Sequence, residues 1–131
     1  MNLAILIPLV LILALAGMLS KTEYVIEIEN VLEAGIRIVS AYTVGRVEET
    51  DDTPCIGAYN HNLCELVKNG TNVCASNEFP KGTVLRLVEL NMDCIVLDRM
   101  NCRYTTGIDL AGLDYQKNIE FGRKGVSVLI K

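Results

Sequence analysis

From Ile36 onward the apolar residues come in short alternating bursts, and this pattern limits the possible folds more than any other feature. The segments IRIVSAYTV (36–44), TNVCAS (71–76), GTVLRLVEL (82–90), DCIVLD (93–98), GIDLA (107–111) and GVSVLIK (125–131) are rich in β-branched residues. Gly, Asn and Pro signals separate them, and alternation of this kind lets a strand bury one face. One segment, YQKNIEF, fits a helix, with Asp114 as N-cap and Gly122 as C-cap. The stretch YNHNLCELVKNG (59–70) reads as an irregular or hairpin region. Short strands at regular spacing with one brief helix predict a small closed all-β barrel, since closure removes unpaired edges.

The N-terminus has a different character. MNLAILIPLVLILALAGML runs to Leu19 without a Lys, Arg, Asp or Glu. Such a run can cross a bilayer as a helix, even with Pro8 inside it. It can equally be a signal-peptide core, because Ala14-Leu15-Ala16 supplies the small-x-small pattern of a cleavage site. Both readings place the rest of the chain outside the cytoplasm, secreted or membrane-anchored. The expected organisation is residues 1–20 as signal peptide or membrane-anchor helix, 21–35 as spacer and 36–131 as the barrel.

The cysteines agree with export. Cys55, Cys64, Cys74, Cys94 and Cys102 all lie in the exported part, where disulfides persist. An odd count leaves at least one thiol free or joined to another chain, and fifteen connectivities remain open. A Cys94–Cys102 bridge would brace the loop that begins at Asp98. With no CxxC pair and the single histidine His61, a metal site is not expected. A net charge of −4 without a basic stripe argues against nucleic acid. There is no Gly-rich phosphate loop and no GxSxG, and His61 has no evident Ser or Cys partner, so neither a cofactor nor a nucleophilic triad is expected.

Carboxylates carry the chemical signal. Asp98 follows Ile95-Val96-Leu97, and Asp109 sits between Ile108 and Leu110. Charged groups in strand-like apolar text need a reason. If 93–98 and 107–112 lie side by side, the two acids approach, and one of them holds its proton to higher pH. Cleavage of a glycosidic bond needs such an acid. The same residues also fit a structural reading, in which strand-end aspartates cap turns and Asp98 pairs with Arg99. Further acids, Glu48, Glu49, Asp51 and Asp52, cluster in the loop after the first strand, and Tyr42, Tyr59 and Tyr104 could form a sugar-stacking platform.

Read in order, SAYTVGRVEETDDTPCIGAYN, NVCASNEFPKGTVLRL, CIVLDRMNCRYTTGIDLAG and NIEFGRKGVSVLIK resemble the three-aspartate (3D) domain family over residues 38–131. AYT, ETDDTP, FPKGT, LDRM, IDL and FG recur together and in order. The resemblance implies a six-stranded double-psi β-barrel related to membrane-bound lytic transglycosylase A and to stationary-phase muralytic proteins. It implies peptidoglycan or a related glycan as partner, with Asp109 as general acid/base and Asp98 beside it. Tyr42, Asp51, Asp52, Thr53, Ser76 and Arg99 would then bind substrate. Three departures stand out. Ser76-Asn77 takes the place of the family's first aspartate, GAYN replaces a common TASG, and RMNCRY replaces a Gly-rich loop. A barrel that binds glycan or organises the envelope without catalysis is the alternative.

Overall fold

The computed structural model describes residues 31–131. The hydrophobic N-terminal segment and most of the expected spacer lie outside the described residues. Among those described, no helix is long and apolar enough to cross a membrane.

Six strands form a closed barrel in the order β1-β5-β2-β4-β3-β6. They are β1 (Leu32–Thr43), β2 (Val73–Ala75), β3 (Val84–Leu87), β4 (Met92–Asp98), β5 (Ile108–Gly112) and β6 (Lys124–Ile130). The barrel is mixed. β1 runs parallel to β5 and β2 parallel to β4, while β2/β5, β3/β4 and β3/β6 are antiparallel. Parallel neighbours need long crossovers. The connection from β1 to β2, strands separated by β5 in the sheet, holds a 3-10 turn, Val47–Glu49, and a short helix α1, Leu63–Lys68. All six expected strands are present. β1 begins at Leu32, ahead of the predicted start at Ile36, and passes through Gly35 at φ 82°.

Helix α1 corrects the expectation of an irregular 59–70 segment. Asn62 caps it, with Oδ1 accepting from the Glu65 amide at 3.1 Å. Leu63, Leu66 and Val67 share one face and pack on Tyr42, Val73, Ala75 and Leu97. The second helix, α2 (Tyr115–Phe121), forms where its caps predict it. Asp114 accepts from the Lys117 amide at 3.1 Å, and Gly122 follows at φ 68°. The described residues therefore hold two short helices where one was expected in the barrel.

The apolar residues divide by strand face into two clusters. Val39, Cys74, Leu85, Leu87, Cys94, Val96, Ile108, Leu110, Val126 and Val128 fill the barrel interior. Tyr42, Val44, Leu63, Val73, Ala75 and Leu97 form a second cluster on the outside, beneath α1. That cover makes one outer face of the barrel a floor rather than a bare surface.

Two disulfides fasten these layers. Cys74–Cys94 joins β2 to β4 inside the core, and Cys55–Cys64 ties the covering loop to α1. Cys102 is free and exposed, so the expected Cys94–Cys102 bridge does not form. The reason is strand parity, since Cys94 points into the barrel while Cys102 lies in a surface loop. Two disulfides fit an oxidising, extracytoplasmic environment.

Candidate functional site

Asp109 and Asp98 meet across β2. Ala75 is registered with Asp109 on one side and with Asp98 on the other. Ser40 on β1 is registered with Asp109, so Ser40, Asp109, Ala75 and Asp98 form one row across four strands. Neighbouring strands lie ~4.8 Å apart, which puts the two aspartate Cα atoms about 10 Å from each other. Alanine is the only side chain between them, and it leaves the space above β2 open.

A bulge puts Asp98 on this face. Cys74 pairs with Val96 but Ala75 pairs with Asp98, so Leu97 is an extra residue in β4. Strict alternation would send Asp98 inward with Cys94 and Val96. The bulge turns it outward, where three donors reach it. Tyr42 Oη donates to Oδ2 at 2.7 Å, and the amides of Ala58 and Arg99 donate to Oδ1 at 2.7 and 2.9 Å. Burial against a carboxylate pushes the Tyr42 phenol well above its ordinary range, with the charges and hydrogen bond of Asp98 and the charge of Asp109 adding to it. Tyr42 therefore stays a donor at every physiological pH.

Asp109 has fewer partners. It accepts one side-chain hydrogen bond, from Ser40 Oγ at 3.0 Å. Burial raises its pKa above the usual carboxylate value; the Ser40 bond opposes this, and the charges of Glu49 and Asp98 reinforce it. The two aspartates thus have different environments on one floor.

Asp109, Ala75 and Asp98 of this row line a groove of about 1060 Å³. The Glu48–Asp51 loop, Pro54, Ile56 and Ala58 line it, together with the loop from Arg99 to Thr105. Of the expected substrate-binding residues, Tyr42, Asp51 and Arg99 border this groove. Asp52 and Thr53 are exposed outside it. Thr53 instead donates through its amide and hydroxyl to Asp51 Oδ1, at 2.8 and 3.0 Å, which fixes the loop. Ser76 is buried at 1% exposure, and its Oγ accepts from the Glu78 and Phe79 amides. It shapes the turn before Pro80 and does not border the groove. The tyrosine platform does not assemble. Tyr42 is buried, Tyr59 lies outside the groove, and the Arg103 guanidinium sits 4.8 Å from the centre of the Tyr104 ring.

Three contributors escaped the sequence reading. Ser40 immediately precedes the AYT motif on β1 and pairs directly with Asp109. Asn77 organises the Arg99–Thr105 loop: its Nδ2 donates to the carbonyls of Met100, Asn101 and Tyr104, and its Oδ1 accepts from the Met100 amide. Ala58 supplies only a backbone N–H, which no side-chain pattern reveals.

Among the described residues, no group of three or more His, Cys, Asp or Glu side chains could hold a metal ion. What the geometry defines is a closed, six-stranded mixed β-barrel with two acids on the floor of an outer groove. No family model, curated protein or solved structure matches the chain.

Proposed function

We propose that the chain is a double-psi barrel of the three-aspartate type that cleaves the glycan strand of peptidoglycan or a related polymer, as a lytic transglycosylase does. One observation carries this reading: a half-buried Asp109, its pKa raised, shares a groove floor with Asp98 across a single alanine. A buried carboxyl keeps its proton nearer to neutral pH, and a proton donor is what a glycosidic oxygen requires.

Asp109 gives its proton to the bridging oxygen as the bond to the anomeric carbon breaks. Positive charge develops on the sugar ring, facing Asp98. Tyr42 and two backbone amides hold that carboxylate in place, so it need not reorganise as the charge appears. Asp109, now ionised, takes the proton of the sugar's own 6-hydroxyl as that oxygen closes on the anomeric carbon. The product is a 1,6-anhydro ring, no water is consumed, and Asp109 regains its proton.

The test incubates the purified full chain with peptidoglycan and examines the soluble products by mass spectrometry, beside Asp109→Asn. Anhydro muropeptides from the wild type alone support the reading. Reducing-end sugars would reassign the chemistry to hydrolysis. Sedimentation with the polymer and no released product would replace catalysis with binding.

A further inference from the structure

The Val47–Glu49 turn brings a third carboxylate to the groove wall. Glu49 borders the groove, and its Oε2 is buried with no hydrogen-bond partner among the described residues. The Nε of Arg46 is buried and unpartnered in the same way. The two atoms stand 3.7 Å apart, too far for a hydrogen bond and close enough for strong attraction. Buried polar atoms are rarely left unmatched, so opposite charges held just out of bonding distance call for an explanation.

Arg46 is restrained on its other side. Its guanidinium carbon lies 3.6 Å from the centre of the Tyr115 ring on α2, a stacking contact. Glu48 Oε2 also stands 3.7 Å from Nε, on a largely exposed side chain. Arg46 is thus shared among a ring and two carboxylates and closes fully on neither acid. Glu49, which borders the groove, keeps an incompletely neutralised charge.

Resting on the proposed glycan cleavage, we infer that Glu49 is a positioning residue for Asp109, and that Arg46 sets how much of the Glu49 charge Asp109 feels. The other ionisable side chains that line the groove with Asp109 are Tyr42 from β1, Glu48 and Asp51 from the loop that carries Glu49, Asp98 from β4, and Arg99, Cys102, Arg103 and Tyr104 from the loop after it. Burial raises Asp109 most, and of the charges acting on it Glu49 ranks ahead of Asp98. The Ser40 hydrogen bond, from within the register row, opposes both. Glu49 comes from a loop more than fifty positions away.

The experiment follows the Asp109 side-chain carboxyl by ¹³C NMR through a pH titration of the full chain in detergent micelles, without substrate. Glu49→Gln keeps shape and removes charge, so the Asp109 midpoint falls by about half a pH unit or more. Arg46→Gln removes the neutralising cation, so the midpoint rises. Simple loosening of the loop would admit water and lower the midpoint in both variants, and the opposite signs separate the two explanations. An unchanged midpoint in Glu49→Gln, a larger fall in Asp98→Asn, or a fall in Arg46→Gln would each overturn the inference. Because no glycan is present, the titration can fail while cleavage holds, and succeed where no cleavage is found.

Discussion

Gly57 is the position where one added methyl tests both packing and site. A Cβ there would lie 2.9 Å from Leu63 Cδ1, 3.1 Å from Leu63 Cγ and 3.1 Å from the Leu97 carbonyl oxygen. Leu63 is 2% exposed and anchors α1 on the outer cluster, and the Leu97 oxygen belongs to the bulged backbone of β4. Neither can retreat without moving the element it belongs to. Contacts normally relax to about 3.5–4 Å, so the loop must lift by roughly half an ångström or more. Overpacking of this kind costs about 1–3 kcal/mol. Each kcal/mol moves the Tm of a domain this size by roughly 4–8 °C, so Gly57→Ala is expected to melt roughly 4–24 °C lower.

The shift also reaches Asp98. Gly57 precedes Ala58, whose amide makes a 2.7 Å hydrogen bond to Asp98 Oδ1. Thermal unfolding of the full chain by circular dichroism measures the first effect, with Gly125→Ala as control. At Gly125 a Cβ would meet only Ile36 Cγ2, at an ordinary 3.6 Å. If Gly57→Ala melts within about 2 °C of the wild type, the tight contact to Leu63 and Leu97 is not real. The coupling of the covering loop to Asp98 then fails with it.

Two further predictions concern charge and crosslinks. Because folded Asp109 holds its proton more tightly than the unfolded chain does, wild-type stability falls as pH rises from about 3.9 through the folded value. Asp109→Asn carries no such penalty. Urea midpoints should show it more stable than the wild type at neutral pH, with the difference closing below about pH 3.9; equal stability at both would count against a raised Asp109. The disulfides close loops of 9 and 20 residues. Loop entropy alone then assigns about 2.6 kcal/mol to Cys55–Cys64 and about 3.3 kcal/mol to Cys74–Cys94. Guanidinium unfolding of the paired Cys→Ala variants should rank them in that order, and the reverse ranking would refute the entropic account.

Much of the barrel was legible because alternation is a local signal. Val39, Ile108 with Leu110, and Val126 with Val128 occupy the interior as the period of two requires. Helix α2 announced both its caps. Helix α1 did not, since six residues hold too little periodicity, although Asn62 three positions before Glu65 was a capping signal. The site was legible only in part. Asp98 and Asp109 stood out as acids in apolar text, but the Leu97 bulge that puts them on one face leaves no trace in composition. Ser76 looked like a polar group available to substrate, and only the fold reveals that two amides occupy it. Glu49 was one of four acids in a loop, and its nearness to Asp109 is a property of the closed barrel. Cysteine pairing follows strand parity, which spacing does not encode.

The row of Ser40, Asp109, Ala75 and Asp98 has a consequence for the newly made chain. Ser40 and Asp109 touch across a separation of 69 residues, and the acids are joined through a strand that comes earlier than both. No contiguous fragment carries the arrangement, and a nascent or reduced chain has scattered acids with ordinary acidity. The site comes into existence only when the sheet closes. On the proposed function, a proton donor for glycan cleavage is acquired only as the chain folds.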